Sequence, residues 1–368
     1  MMLDSTHREQ LTAHLLALNR EDRADRFIGI VSDDYVQRYV DGIGYARDVL
    51  IGALQGRRLV ALAHAAMYLE RGELVSEVGV SVDRDLRRNG LGKRLLHAAI
   101  DAAKRFKVRR VYVMFRSGNV AMAALTRAMG GRINRQGTES SAVFEINGGP
   151  HLPLRTTRNF QGAEALHATH PRERGRALLV HGAGGDSYQW LPSLIPALWN
   201  AGFSVCAPTL PGHGRGGDPM RANLEDLQAC VRDSAERFGP TLIVGHSMGG
   251  YLVQRHLETH HVKRAVLLAS IPPNVPRSDD LRHVMAELHC SNSRVVVNLA
   301  LTDAPDVDVG AVCGTPLVVF GGTRDRVVPS HWVRDTARRY GVKPCLINGG
   351  HRLMLGRAAN DVVQALAA

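Results

Sequence analysis

The pentapeptide Gly245-His246-Ser247-Met248-Gly249 closes an apolar run from Thr241 to Val244 and opens a helical segment near Gly250. A serine on so sharp a strand-to-helix turn projects its hydroxyl, and any side chain at Gly245 or Gly249 would crowd it. Serine alone is a poor nucleophile. With a histidine base and an orienting carboxylate it attacks carbonyl carbon and carries the acyl group as an ester. On an elbow of this kind the partners follow in the order Asp, His. Asp325 lies in the loop after the strand-like run Thr315 to Gly322, and His351 follows Asn348-Gly349-Gly350 after the short run PCLI. Other carboxylates stay open: Asp303, Asp306 and Asp308 are near in sequence, and Asp325 could instead be a turn residue paired with Arg324 or Arg326. His256, His260 and His261 lie on or after the helix that carries the elbow and are expected to face solvent. The oxyanion of the intermediate needs N–H donors, expected from Met248 at the helix start and from Ala183 in the glycine-rich turn His181-Gly182-Ala183-Gly184-Gly185. No metal is needed for this chemistry.

A second constellation lies upstream. The alternating run EVGVSV is followed by DRDLRRNGLGKRLL and then by apolar residues at helical spacing, Leu91, Leu95, Leu96, Ala99, Ala102 and Ala103. Gly90 and Gly92 let the backbone approach a ligand, and the first amides of the new helix lack internal partners, so a pyrophosphate can dock there. Arg87, Arg88, Lys93 and Arg94 add positive charge beside Asn89 and Leu91. The alternative is an ordinary capped helix with a solvated basic face.

These residues must be positioned by elements, and the chain is long enough for two sets of them. Its 368 residues, 45% hydrophobic and 22% charged, suit two globular domains. Periodicity fades and Gly, Pro and charge gather near Gly149, which sets expected domains of 1–148 and 149–368. The formal charge is +11, yet it is spread over both halves: Lys plus Arg exceed Asp plus Glu by 23 to 17 before Gly149 and by 23 to 18 from there on. Arg84 to Arg116 is the exception, with eleven basic residues against Asp85 and Asp101. Nucleic-acid binding by that cluster is disfavoured, because only 5% of residues are aromatic and few rings exist for base stacking. Five scattered cysteines without a CxxC pair exclude a disulfide scaffold or zinc finger. The longest apolar run, Leu59 to Leu69, contains His64 and falls far short of a membrane span of about 20 residues. The N-terminus MMLDSTHREQ has no basic-then-apolar export signal, so a cytoplasmic protein without membrane attachment is expected.

The segment Arg87-Arg88-Asn89-Gly90-Leu91-Gly92 resembles the [Q/R]-x-x-G-x-[G/A] acetyl-CoA motif of the GNAT N-acetyltransferase superfamily. The likeness extends over roughly residues 5 to 146, through VRRVYVMF as the next strand and Asn119-Val120-Ala121-Met122 with LTRAMGG as the closing helix. It implies an α/β domain with a mixed sheet that binds acetyl-CoA or another acyl-CoA as cosubstrate. The pyrophosphate would lie on amides 88 to 93, with Arg87, Arg88, Asn89, Gly90, Leu91, Gly92, Lys93 and Asn119 as binding residues. Transfer to an amine requires a base, and Glu77, on the strand before the loop, is the candidate; its alternative is a charged strand residue facing solvent or an arginine. Thr126 stands where many relatives carry a tyrosine acid, and Gly131 where an aromatic residue usually follows the glycine.

From residue 176 onward the chain resembles the α/β-hydrolase superfamily, on HGAGG, APTLPGHG, GHSMGG, the Asp325 loop and Gly349-Gly350-His351-Arg352-Leu353-Met354-Leu355. The likeness is nearest to the esterase and hydroxynitrile-lyase-like branch, in which His213 and His246 are scaffold residues. It implies a mostly parallel sheet with a short cap at about 271–314. The expected protein is therefore a serine hydrolase for a carboxylic ester or thioester, fused to an acyl-CoA-dependent N-acetyltransferase-like domain. The alternative lets the hydrolase half act as acyltransferase or lyase, with the GNAT-like half a non-catalytic binding or regulatory module.

Overall fold

The structure is a computed structural model and describes residues 1–45, 47–146, 152–158, 164–214, 223–274, 284, 304–312, 314–354 and 357–367. Met1–His151 forms one compact unit and Leu152–Ala368 another.

In chain order the first unit holds β1 (Met2–Leu3), α1 (Arg8–Leu16), α2 (Arg20–Phe27), α3 (Asp33–Asp41), β2 (Val49–Gln55), β3 (Arg58–Glu70) and β4 (Glu73–Val82). Then come α4 (Leu91–Arg105), β5 (Arg110–Arg116), α5 (Val120–Ala128), β6 (Arg132–Gln136) and β7 (Glu139–Glu145). The helices start where side chains replace missing backbone acceptors: Asn19 accepts Asp22 N–H, Ser32 accepts Tyr35 N–H and Asn119 accepts Met122 N–H. Seven strands make one sheet in the order β1-β2-β3-β4-β5-β7-β6. All neighbours are antiparallel except β4 and β5, so the sheet is mixed, as expected. That one parallel pairing is short. It joins Val75, Ser76 and Glu77 to Arg110, Val111 and Tyr112, while β4 runs on to Val82 and β5 to Arg116, so the strands part beyond Glu77. α4 lays Leu95, Leu96, Ala99, Ile100 and Ala103 against β2, β3 and β4. α1 and α3 build a core from Leu11, Leu15, Val36 and Val40 with Leu50, Leu59 and Leu62 of the sheet.

The second unit holds β8 (Leu154–Arg158), β9 (Glu164–Ala168), β10 (Gly175–Val180), α6 (Leu194–Asn200), β11 (Phe203–Pro208), α7 (Leu224–Phe238) and β12 (Leu242–His246). It continues with α8 (Met248–Leu257), β13 (Arg264–Leu268), β14 (Leu317–Gly322), α9 (Ser330–Arg339), β15 (Pro344–Ile347) and α10 (Arg357–Ala367). Eight strands are ordered β15-β14-β13-β12-β10-β11-β9-β8. The six from β10 to β15 run parallel, and β9 is antiparallel to both of its neighbours. Parallel strands need helical crossovers that cover both faces, which is why Leu242–Val244 of β12 and Ala265–Leu268 of β13 are apolar and buried. β10 lies between β11 and β12, so the chain leaves it first to one side and then to the other. Ligand sites in such sheets form at the carboxyl ends of strands around this switch point. The expected cap at 271–314 lies mostly outside the described residues. No helix among the described residues is long and apolar enough to cross a membrane.

Candidate functional site

In the second unit, three strand ends carry the expected nucleophile Ser247 and its expected partners Asp325 and His351 to one edge of the sheet. Ser247 follows β12 with φ 54° and ψ −121°, a conformation that strains any residue with a Cβ. Its backbone is clamped on both sides: Ser247 N–H donates to Leu268 O at 3.0 Å, and Ile271 N–H donates to Ser247 O at 3.2 Å. A Cβ on Gly245 would come 2.5 Å from Gly249 O, and one on Gly249 would run into the carbonyl oxygens of Val180 and His181. Packing of main chain on main chain therefore demands both glycines.

Asp325 is held in the loop after β14. Its Oδ1 accepts Val327 N–H at 2.9 Å and Val328 N–H at 3.0 Å, and its Oδ2 lies 2.9 Å from His351 Nδ1. The carboxylate is fully buried. It is paired with backbone amides and the imidazole. The two loops are tied by main chain, Arg324 N–H donating to Gly349 O at 2.9 Å. Among the other carboxylates, Asp308 Oδ1 accepts Gly310 N–H and Ala311 N–H, and Asp303 lies outside the described residues.

His246 links the elbow to the histidine loop, a tie that spacing alone did not reveal. Its Nε2–H donates to His351 O at 2.9 Å, and the two rings lie 4.7 Å apart. The hydrogen bonds of the described residues do not include one between Ser247 Oγ and the His351 ring; their immediate neighbours bring them to the same sheet edge. Catalytic hydrogen bonds of free enzymes are often long and tighten only with substrate. Burial holds the pKa of His246 well below its ordinary value, with the neighbouring His351 adding to the effect. His181 is likewise held low by burial and then by His213; it accepts Leu210 N–H at Nε2, 2.9 Å. Burial pushes His213 down to about 4. These three imidazoles are neutral scaffold groups. The expectation that His256 faces solvent is corrected: it is buried, stacked on His260 at 4.5 Å, because α8 packs against α7 on that side.

Gly182 lies directly on the elbow; a Cβ there would be 2.8 Å from Ser247 Cβ. The turn continues through Gly184, φ 72°, and closes with Gly185 N–H on Gly182 O at 3.2 Å. Between them Ala183 N–H donates to no acceptor among the described residues. Met248 N–H is in the same position as the first amide of α8.

In the first unit, Gly90 caps α4 with φ 73° and Arg88 adopts φ 62°, so left-handed residues alternate with Asn89 and turn successive amides outward. Arg94 N–H is the first to close the helix, on Gly90 O at 3.0 Å. The amides of residues 88 to 93 donate to no acceptor among the described residues. The side chain of Arg87 is committed elsewhere: Nη1 to Asp22 Oδ1 at 2.9 Å and Nε to Val82 O at 2.9 Å. Burial would raise the Asp22 pKa, but Arg87 and Arg84 outweigh it and hold the carboxyl below its ordinary value. Asn119 caps α5 and donates Nδ2–H to Asp25 at 3.0 Å. Thr126 is buried and donates to Met122 O, 2.9 Å, which removes its hydroxyl from any role at the thiolate. Glu77 is exposed at the point where β4 and β5 part. Beside it the Tyr68 phenol is pushed up to about 12, by burial first and then by the charges of Glu77 and Glu70, and keeps its proton.

Sequence reading missed a buried polar chain on this face of the sheet. Tyr39 of α3 bonds His64 Nδ1 of β3, His64 Nε2 lies 3.2 Å from Asp48 Oδ2, and Arg47 Nε donates to Asp48 Oδ1 at 2.8 Å. Burial alone would raise the Asp48 pKa; the hydrogen bond from His64 and the Arg47 cation reverse this and hold the carboxyl well below the usual carboxylate range.

Two family models match the chain, one in each unit. Residues 16–130 match the acetyltransferase (GNAT) family and residues 177–305 match the alpha/beta hydrolase family. The fold is a GNAT-like domain followed by an α/β-hydrolase-like domain. A thermostable monoacylglycerol lipase of Bacillus sp. (strain H-257) is 36% identical over 109 residues, 28% of this chain and 41% of the lipase. The dihydrolipoyllysine-residue acetyltransferase component of the acetoin cleaving system of Cupriavidus necator is 32% identical over 120 residues, 31% of each protein. The matches thus span less than half the length of these curated relatives. Among solved structures, an α/β hydrolase of Novosphingobium aromaticivorans is similar to the hydrolase unit at 16% identity and a TM-score of 0.47, covering 60% of this chain and 99% of that one. The GNAT domain of S. lividans PAT is similar at 16% identity and a TM-score of 0.35, covering 40% of this chain and 89% of that one.

Proposed function

We propose that the hydrolase unit cleaves a carboxylic ester or thioester through an acyl-enzyme on Ser247, and that the GNAT unit transfers an acyl group from acyl-CoA to an amine. The observation that carries the first part is the buried Asp325 carboxylate 2.9 Å from His351 Nδ1, beside a serine held at φ 54°. Asp325 fixes the tautomer in which Nε2 is free to take a proton. Ser247 Oγ then attacks the carbonyl carbon as His351 accepts its proton, and the oxyanion is received by Ala183 N–H and Met248 N–H. His351 returns the proton to the leaving oxygen or sulfur, and water repeats the sequence to release the acid. The partial identity to a lipase favours an oxygen ester. Hydrolysis of p-nitrophenyl acyl esters and of acyl-CoA by the full chain, with and without Ser247→Ala, tests this. Activity surviving in the variant would remove Ser247 from the mechanism.

For the GNAT unit, the free amides of residues 88 to 93 are suited to the pyrophosphate of an acyl-CoA, and Glu77 to the proton of the attacking amine. One observation favours the second reading, a domain that binds acyl-CoA without transfer: Thr126 replaces the usual acid and its hydroxyl is buried in its own helix. Calorimetric titration of acetyl-CoA into the Ser247→Ala protein, followed by an amine panel, separates the two.

A further inference from the structure

Arg26 is a guanidinium of the GNAT unit that the fold holds in place with no carboxylate partner among the described residues. It is partly buried, and its Nε is fully buried and bonds to nothing. Its neighbours on α2 differ: Asp22 pairs with Arg84 and Arg87, Arg23 with Asp33, and Asp25 with Arg116. Of the five N–H donors on Arg26, the described bonds use one, from Nη2 to the Tyr39 hydroxyl at 2.6 Å. Tyr39 is itself fixed, since its proton goes to His64 Nδ1 and His64 is oriented by Asp48. The Arg26 Cζ lies 5.0 Å from the Phe27 ring centroid and 5.3 Å from that of Tyr39. On the sheet side it rests on Gly79, where a Cβ would come 2.5 Å from both Cζ and Nη1. A cation removed from water with no counter-charge is costly, and an incoming anion recovers that cost.

Gly79 is two residues beyond Glu77 on β4, so both positions face the same side, about 6.7 Å apart along the strand. Glu77 too has no hydrogen-bond or ion-pair partner among the described residues, whereas Glu70 and Glu73 are engaged by Tyr112 and Arg110. An uncommitted carboxylate and an uncommitted guanidinium therefore flank the opening between β4 and β5. An α-amino acid carries its ammonium and carboxylate on one carbon, so it can offer one charge-assisted hydrogen bond to each of these two groups. The rim beside Arg26 is apolar: Phe27 packs edge-on against Tyr35 at 5.7 Å, and Ile30, in the turn between α2 and α3, is 77% exposed.

We propose that the acceptor of the GNAT unit is an α-amino acid with an apolar side chain, its carboxylate on Arg26 and its ammonium on Glu77. This rests on the transferase reading above. Glu77 takes one proton from the ammonium; the nitrogen attacks the thioester carbonyl, the C–N bond forms as the C–S bond breaks, and the second nitrogen proton is balanced by the thiol of the departing CoA. Ammonium plus acetyl-CoA thus gives the amide, CoA thiol and one proton.

The test uses the full chain carrying Ser247→Ala, so that thioester hydrolysis does not contribute, and follows CoA release from acetyl-CoA. The probes are L-leucine and L-phenylalanine, their carboxamides, and 3-methylbutylamine and phenethylamine. The acids are expected to exceed the amides and amines in kcat/KM by about 10- to 100-fold, the size of a charge-assisted hydrogen bond. Arg26→Gln should abolish that preference by raising KM for the acids alone, and Arg26→Lys should restore part of it. Amines and amides turned over as well as acids, or an Arg26→Gln loss equal for all three, would overturn the inference and leave the transferase reading standing. Saturable acetyl-CoA binding with no probe acetylated would also overturn it. Absence of acetyl-CoA binding would remove the transferase reading and the inference with it.

Discussion

His351 Nδ1 lies 2.9 Å from Asp325 Oδ2, while Oδ1 of the same aspartate accepts the N–H groups of Val327 and Val328. One carboxylate thus orders its own turn with one oxygen and the imidazole with the other. The division separates two substitutions. Asp325→Asn can keep the oxygen that the turn requires but offers His351 the wrong tautomer, so kcat should fall by about 10⁴-fold with little change in melting temperature. Asp325→Ala should lose activity similarly and also stability. Equal melting losses in both variants would refute the division.

Gly182 and Gly249 touch the elbow from two sides. At Gly249 a Cβ meets the main-chain oxygens of Val180 and His181, which have no room to retreat, so Gly249→Ala should destabilise the protein by about 1–3 kcal/mol. At Gly182 the Cβ would meet Ser247 Cβ at 2.8 Å and His246 Nδ1 at 3.0 Å. Gly182→Ala should therefore cost more in kcat than in stability. Esterase rates and urea midpoints measured together check both.

Burial of His213 makes stability depend on pH. Its folded pKa, about 4, is below the ordinary 6.5, so between these values the unfolded chain binds the extra proton. The contribution is complete above about pH 6.5 and is lost as pH falls toward 4, at up to about 1.4 kcal/mol per pH unit. His181 and His246 act with the same sign. The three tryptophans, Trp190, Trp199 and Trp332, all lie in the hydrolase unit, so urea unfolding followed by their fluorescence isolates it. His213→Asn should flatten the slope between pH 6 and 5; an unchanged slope would contradict the assignment.

Arg87 and Arg88 are adjacent but should respond differently to charge reversal. Arg88 has no described side-chain partner and flanks the free amides, so Arg88→Glu should weaken acetyl-CoA binding while leaving the melting temperature unchanged. Arg87→Glu also removes a partner from Asp22 and should lower both. Calorimetry and thermal melts of the same samples distinguish these outcomes.

Local spacing made both folds legible. A glycine-flanked serine after an apolar strand, and RRNGLG between a strand and an apolar-faced helix, are short-range patterns whose backbone geometry follows from the residues themselves. Asp325 and His351 could be named from chain order, but the bond between them depends on neighbouring β14 and β15 ending at the same sheet edge, which is a matter of register. The same holds for His246, whose tie to the His351 loop spans 105 residues. His256 was misread because a histidine on a helix carries no mark of which face its neighbours cover. Arg26, Tyr39, His64 and Asp48 come from α2, α3, β3 and the turn before β2, with no common motif. Only the antiparallel register that sets His64 beside Gly79, and a glycine small enough to admit the guanidinium, brings them to one place. Sequence by itself determined the two folds and the residues at each turn; packing across distant segments decided which of them meet.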